Sequence, residues 1–207
     1  MKTGICISSN KEFYERTLKV FLKNVPDDFL KNVRIYIGGC DENTNKDNLH
    51  FRKHRSFEMT ALISMLEDRQ LSLNDQWLLL HDTCHIDNFD LFKDWFYTLP
   101  DVTEPTKLTK FGYSNSMGLY PTKFIIENSS EFFKFKNQSK NYYIANEDGW
   151  FKGVDDALYS GKFISNYEKK VFPYSDTPRF EERYEGIGLI KYKANCFNHP
   201  DNRVYTA

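Results

Sequence analysis

An apolar segment that leads into a group of metal-ligand side chains constrains this chain more than any other feature. Residues 77–80 read Trp-Leu-Leu-Leu, and residues 81–85 follow directly as His-Asp-Thr-Cys-His. A short uninterrupted apolar run is typical of a strand covered on both faces in a parallel sheet, and open α/β sheets bind ligands at the carboxyl ends of such strands. The sequence therefore predicts an α/β fold with a binding site after residue 80. An exposed polar loop following a core strand is the alternative interpretation.

The side chains after this strand are suited to a divalent cation. Asp82 supplies a carboxylate, and His81 and His85 supply neighbouring imidazoles. Such a set can hold Mn²⁺ or Mg²⁺ and still leave coordination positions for phosphate oxygens, which is how these metals usually serve nucleotide substrates. We therefore predict Asp82 and His85 as metal ligands, with His81 and Asp82 facing the nucleotide.

The length and charge of the chain limit the kinds of molecule that it is expected to bind. The 207 residues fit one domain, and 28 basic against 29 acidic side chains give a formal net charge of -1 without a long run of either sign. This balance argues against nucleic acid or an anionic membrane as partner, so small molecules or glycans are expected. We also expect a soluble, cytoplasmic protein without membrane insertion, because neither a signal-peptide pattern nor an apolar stretch of about 18 residues is present.

The first half of the chain alternates strand and helix patterns. Strands are predicted at residues 4–9 and 33–37 with a helix between them, which makes a βαβ unit of about 30 residues. Residues 43–54 are polar and are expected to be irregular. A second helix is predicted over residues 57–66, ahead of the strand at 77–80.

The second half has a different pattern. A helix is predicted over residues 88–98 and a breaker-rich connection over 100–110. Short strands or a hairpin are expected between residues 111 and 126. The sequence Asn-Glu-Asp-Gly at residues 146–149 is expected to open a helix from about residue 150 to 159.

This order of elements resembles the GT-A fold glycosyltransferases over nearly the whole chain. The resemblance rests on a nucleotide-type half that ends in the Asp82 motif, followed by a mixed half with the pair Glu147-Asp148 before a helix. It implies a single Rossmann-like domain with a mixed, mostly parallel central sheet flanked by helices. Residues 1–99 would form the nucleotide-binding half and residues 100–207 the acceptor-side half. The chain looks most like the small glycosyltransferase domains of large algal (chlorella) viruses, whose products decorate capsid glycoproteins.

The resemblance also implies a ligand set. GT-A enzymes carry an Asp-x-Asp motif at the end of a central strand, where a divalent ion bridges the two phosphates of a nucleotide sugar. Asp82 is the one matching carboxylate here, which leaves the second ligand open among His81, Thr83 and His85. The implied donor is a UDP-sugar with Mn²⁺ or Mg²⁺.

Further contacts to the donor follow from the same resemblance and from charge. Ser8 and Ser9 at the first strand end and Asp41 after the second strand lie where GT-A proteins hold the ribose and base. Arg55 is a candidate for electrostatic assistance to the diphosphate, with Lys53 and Arg183 as alternatives. Asp41 also has a plain interpretation as part of a turn.

Glu147 and Asp148 are the predicted catalytic residues. In an inverting enzyme Asp148 would remove the proton of the acceptor hydroxyl, whereas in a retaining enzyme it would orient sugar or acceptor. Acidic residues are also favoured at helix N-termini by the helix dipole, so a structural role is the alternative.

The expected activity is transfer of a hexose or deoxyhexose to a glycan acceptor, with viral capsid glycoprotein as one implied acceptor. Two other classes stay open. A metal-dependent nucleotidyltransferase shares the fold but usually has a Gly/Arg/Lys-rich phosphate loop near the first strand, which residues 7–11 do not resemble. A non-catalytic glycan-binding protein on the same fold is favoured by the incomplete Asp-x-Asp motif.

Overall fold

The computed structural model describes residues 1–110, 116–146, 157–161, 163–171 and 178–194. The strands are β1 (Thr3–Asn10), β2 (Val33–Gly38), β3 (Thr44–Lys46), β4 (Leu49–Phe51), β5 (Gln76–His81), β6 (Cys84–Ile86), β7 (Thr106–Thr109), β8 (Gly118–Pro121), β9 (Ala157–Tyr159), β10 (Phe163–Val171), β11 (Pro178–Tyr184) and β12 (Leu189–Ala194). The helices are α1 (Tyr14–Leu22), α2 (Asp27–Leu30), α3 (Thr60–Glu67), α4 (Phe89–Tyr97), α5 (Thr122–Glu127), α6 (Ser129–Phe133) and α7 (Lys140–Asn146).

The larger sheet has eight strands in the order β3-β4-β2-β1-β5-β8-β7-β9. Strands β4, β2, β1 and β5 run parallel to one another, whereas β3 joins antiparallel to β4 and β8 joins antiparallel to β5. The prediction of an α/β fold with a mixed, mostly parallel sheet flanked by helices is confirmed. No helix among the described residues is long and apolar enough to cross a membrane.

The sheet is covered on both faces, which explains why residues 77–80 form an unbroken apolar run. Leu78 and Leu80 point into a core formed with α1, α2 and α4, whereas Trp77 and Leu79 point into a second core formed with α3, α5 and α6. All of β5 is buried. Successive side chains of a strand face opposite sides, so residues 77–80, which lie between two apolar layers, are apolar at every position.

A second, four-stranded antiparallel sheet, in the order β10-β11-β12-β6, was not predicted from the sequence. Its β6 starts only two residues after β5 ends, and the backbone N–H of Tyr192 donates to the carbonyl of Thr83 at 3.1 Å. Buried residues of this sheet, including Cys84 and Leu189, join the same core as α1. Asp82 therefore lies where the chain passes from one sheet to the other.

Several expected elements were wrong. Residues 43–54 contain β3 and β4, which the apolar pattern missed because the buried positions there include the polar residues His50 and Arg52. The stretch at 100–110 contains β7. Residues 122–127 form helix α5, which begins directly after Pro121 and buries Ile125. The prediction of a helix over residues 150–159 is wrong for residues 157–159, which form β9. The earlier part of that prediction lies outside the described residues.

Candidate functional site

The parallel part of the sheet reverses its chain order at β1. Strand β2, which follows β1 along the chain, pairs with one side of β1. Strand β5 pairs with the other side of β1. Helix α1, which leaves β1, covers one face, whereas α3, which leads towards β5, covers the opposite face. Open α/β sheets bind ligands in the crevice that such a reversal opens at the carboxyl ends of the strands. Ser9, near the end of β1, and Asp82, directly after β5, lie at this point, which we call the Asp82 crevice.

Asp82 is fixed by two hydroxyl groups. Its Oδ2 accepts hydrogen bonds from Ser9 Oγ at 2.6 Å and from Thr17 Oγ1 of α1 at 3.1 Å. Within the described part of the chain, Oδ1 accepts no hydrogen bond. One carboxylate oxygen thus orients the side chain, and the other keeps its lone pairs for a ligand.

The ionisation of Asp82 is shifted towards neutral pH. Burial raises the pKa of this carboxyl to about 6, and the charge of Glu58 acts in the same direction. The hydrogen bonds from Ser9 and Thr17 and the ammonium of Lys191 oppose that rise in pKa. A partly desolvated carboxylate of this kind is stabilised by any cation that replaces the lost water.

His81 forms part of the wall of the crevice. Lys191 Nζ donates a hydrogen bond to His81 Nδ1, and Ser116 Oγ lies 2.7 Å from His81 Nε2. An ammonium has donors only, so Nδ1 is the acceptor and the ring is the neutral tautomer with its hydrogen on Nε2. Both ring nitrogens are therefore already engaged by protein groups.

Lys191 and Glu182 are buried charged residues of the second sheet that sequence reasoning missed. Lys191 of β12 is in register with Glu182 of β11 on one side and with Cys84 of β6 on the other. This pairing carries the ammonium of Lys191 to His81 and close enough to Asp82 to lower its pKa. Because β12 and β6 are about a hundred positions apart in the chain, no local sequence pattern predicts their pairing.

His85 contacts the end of α1 and strand β12. Its Nε2 lies 3.3 Å from Nδ2 of Asn24, and its ring stacks on Tyr192 with centroids 6.2 Å apart. Asn24 also donates from Nδ2 to the carbonyl of Ile86 at 2.8 Å. His85 thus links β6 to the end of α1 and to β12, and its role as a metal ligand stays a prediction.

The other predicted donor contacts differ in their surroundings. Ser8 Oγ donates to the carbonyl of Glu58 at 2.6 Å and accepts from the N–H of Ala61 at 3.0 Å, so it anchors the start of α3. Asp41 is exposed and pairs with Lys11 at 2.7 Å, and this hydrogen bond lowers the pKa of the Asp41 carboxyl. Of the two serines, Ser9 is the one in direct contact with Asp82.

Arg55 lies beside a strained residue. Its guanidinium carbon is 5.2 Å from the centroid of the Phe57 ring, and Phe57 itself has a φ of 46°. Lys140 Nζ is 4.9 Å from the same ring and forms an ion pair with Glu58 at 3.2 Å. A positive φ is costly for a bulky side chain, and such strain clusters at ligand-binding segments.

The described residues contain no group of three or more His, Cys, Asp or Glu side chains that could hold a metal ion. Asp82 Oδ1 offers a single oxygen. Mg²⁺ sites that act on phosphates commonly use only one or two carboxylates, with phosphate oxygens and water as the remaining ligands, so this oxygen fits an ion that the substrate helps to hold. Glu147 and Asp148 lie outside the described residues.

Comparison with known proteins returned no matching family model, no matching curated protein and no matching solved structure.

Proposed function

We propose that the Asp82 crevice binds the diphosphate of a nucleotide sugar and that this protein is a metal-dependent glycosyltransferase. The observation that carries the proposal is the position of Asp82 at the reversal of strand order, oriented through Oδ2 with Oδ1 open. This position is where α/β sheets bind nucleotides, and an oriented carboxylate there is suited to a phosphate-bound cation.

Asp82 would hold Mn²⁺ or Mg²⁺ through Oδ1. When bound, the ion would act as a Lewis acid that offsets the charge of the departing diphosphate. Ser9 and Thr17 keep the carboxylate in one orientation by donating to Oδ2. Lys191, held by His81 behind the carboxylate, adds fixed positive charge near the anionic substrate without any reorganisation during the reaction.

The remaining assignments follow from the resemblance to GT-A enzymes. The donor is a UDP-linked hexose or deoxyhexose and the acceptor is a glycan. Glu147 and Asp148 belong to the acceptor side, with Asp148 as the group that takes the proton of the attacking hydroxyl in an inverting reaction.

Substitution of Asp82 by Asn tests the proposal. Asn keeps the size and one acceptor oxygen for Ser9 and Thr17, so the fold is retained, but the negative charge that attracts the cation is lost. We expect the affinity for UDP and UDP-sugars in the presence of Mn²⁺ to fall at least about 30-fold, or about 2 kcal/mol, when measured by calorimetry. Sugar transfer, followed as UDP release, should fall in parallel.

Asp101→Asn is the matched control, because Asp101 is an exposed carboxylate that pairs with the ammonium of Met1 next to the start of β1, at the other end of the strand. It should lower donor affinity much less than Asp82→Asn. Equal donor affinity in wild type and Asp82→Asn would contradict the proposal. Release of pyrophosphate from a nucleoside triphosphate, without sugar transfer, would indicate a nucleotidyltransferase instead.

A further inference from the structure

A second site lies at the opposite end of the parallel strands. A cleft of about 310 Å³ is bordered by residues that lead into β1, β2 and β5 or lie near their starts. Its polar and aromatic lining consists of Lys2, Lys31, Asn32, Arg34, Asn74 and Trp77. We call this group the cationic cleft. It lies at the amino ends of the strands, whereas the Asp82 crevice lies at their carboxyl ends.

The cleft concentrates positive charge. Lys2, Lys31 and Arg34 contribute three cations, and the lining includes no carboxylate. The whole chain has a formal net charge of -1, so this excess is local and does not reflect a generally basic protein. The carboxylate of Asp75 lies beside the cleft, where its Oδ2 accepts the backbone N–H of Lys2 at 2.7 Å, but Asp75 is not one of the lining residues.

Two of the three cations have no hydrogen-bond or ion-pair partner in the part of the chain that the structure describes. Among the described residues, the guanidinium of Arg34 and the ammonium of Lys31 form no hydrogen bond and no ion pair. Arg34 is half-buried on the α3 side of β2, in register with the fully buried Cys6. A partly desolvated guanidinium is unfavourable until an anion pairs with it, and its planar fork of N–H donors matches the oxygens of a phosphate.

Contacts within the protein fix the wall of the cleft. Trp77 Nε1 donates to the carbonyl of Leu71 at 3.0 Å, which fixes the indole. The indole and the Asn74 amide lie directly over the backbone of Gly4, where an added Cβ would be 2.6 Å from Cζ3 of Trp77. Glycine is therefore required at position 4 to place both side chains in the wall. A preformed wall lowers the entropic cost of binding.

We propose that the cationic cleft binds a small phosphorylated molecule, with the phosphate held by Arg34 and Lys31. Three cations attract an anion with two or more charges more strongly than a monocarboxylate, because the Coulomb energy grows with the charge of the anion. The amide side chains of Asn32 and Asn74 supply neutral hydrogen-bonding groups beside the cations. The volume accommodates an organic portion against the Trp77 end of the cleft. This proposal does not depend on the glycosyltransferase assignment.

The test is calorimetric titration of the full chain with inorganic phosphate, pyrophosphate and ribose 5-phosphate in metal-depleted buffer of low ionic strength. We expect saturable binding that weakens with added salt. Stronger binding of ribose 5-phosphate than of phosphate would identify a phosphorylated organic molecule as the ligand class, and equal binding would identify the free anion. Both results support an anion site, and no saturable binding of any of the three overturns it.

Substitutions of the lining residues test whether these anions bind in the cationic cleft. Arg34→Gln and Lys31→Gln should each weaken it at least about tenfold, because each removes a charged hydrogen-bond donor. Lys31 is exposed, so its substitution leaves the fold intact and keeps the test valid if Arg34→Gln unfolds the protein. Arg69→Gln is the matched control, as Arg69 is an exposed arginine outside the cleft and should bind like wild type.

Asp82→Asn separates this proposal from the previous one. Binding in metal-depleted buffer should be unchanged in Asp82→Asn, since that residue lies at the other end of the strands. If Lys31→Gln binds these anions as tightly as wild type, or if Asp82→Asn alone abolishes binding, the cationic cleft is not the site.

Discussion

At the scale of single residues, Asp82 combines a negative charge with partial burial, and two hydroxyl donors and one nearby ammonium compensate for that cost. Ser9 and Thr17 donate to its carboxylate, and Lys191 contributes an ammonium from the second sheet. Burial nevertheless dominates and holds the pKa near 6. The side chain therefore changes charge within the range in which a cation can compete with a proton for it.

Lys191→Met tests the electrostatic link between the two sheets. Removal of a nearby cation makes the carboxylate less favourable, so the pKa of Asp82 should rise above about 6 in the variant. Methionine fills a similar volume, which limits the packing change at this buried position. The measurement is an NMR titration of ¹³C-labelled aspartate carboxyl groups in metal-depleted buffer.

The control for this titration is Lys11→Met. Lys11 pairs with Asp41, so its loss should raise the pKa of Asp41 and leave that of Asp82 in place. An Asp82 titration that is identical in wild type and Lys191→Met would mean that the ammonium does not act on the carboxylate.

Residues next to strand ends could be predicted from the sequence, whereas their partners could not. The resemblance to GT-A enzymes implied that Asp82 and Ser9 belong to one nucleotide site, and the two side chains are in contact. Thr17 lies inside a helical pattern and Lys191 inside a strand far along the chain. Each reaches Asp82 only through tertiary packing, which leaves no signal in local periodicity.

At the scale of elements, β7 and β8 approach each other closely at Gly118. A Cβ at this position would overlap the carbonyl oxygen of Thr106, which is a backbone atom and cannot turn aside. Gly118→Ala should therefore lower the free energy of unfolding by about 2 kcal/mol or more, as expected when a well-packed region is overfilled. Urea denaturation followed by circular dichroism measures the change.

Gly186→Ala is the glycine control. Gly186 has a φ of 82° but no atom within 4 Å of an added Cβ, so alanine there has a conformational cost of about 1 kcal/mol and no clash. If Gly118→Ala is no more destabilising than Gly186→Ala, the two strands are not as close as described.

The elements that could be predicted from the sequence are those with a strong apolar pattern. Strands β1, β2 and β5 and helix α4 have buried apolar residues at regular spacing and were found. The edge strands β3 and β4 are three residues long each, and polar side chains fill the buried positions near β4. Three-residue strands of this kind depend on a neighbouring strand for their hydrogen bonds, so their own sequence carries little information.

At the scale of the whole molecule, the parallel strands separate two kinds of surface. Their carboxyl ends carry the Asp82 crevice, completed by Lys191 from the second sheet. Their amino ends carry the cationic cleft with Arg34 and Lys31. The two sites differ in charge and lie at opposite ends of the strands, so we expect their ligands to bind independently.

The central claim is that Asp82 holds the cation that accompanies a nucleotide diphosphate. Crystals grown with Mn²⁺ and UDP, with diffraction data collected at the manganese absorption edge, test it directly. We predict an anomalous peak within about 2.3 Å of Asp82 Oδ1, with oxygens of both UDP phosphates bound to the same ion. A peak elsewhere in the molecule, or UDP bound in the crevice with Asp82 contacting only Ser9 and Thr17, would contradict the account.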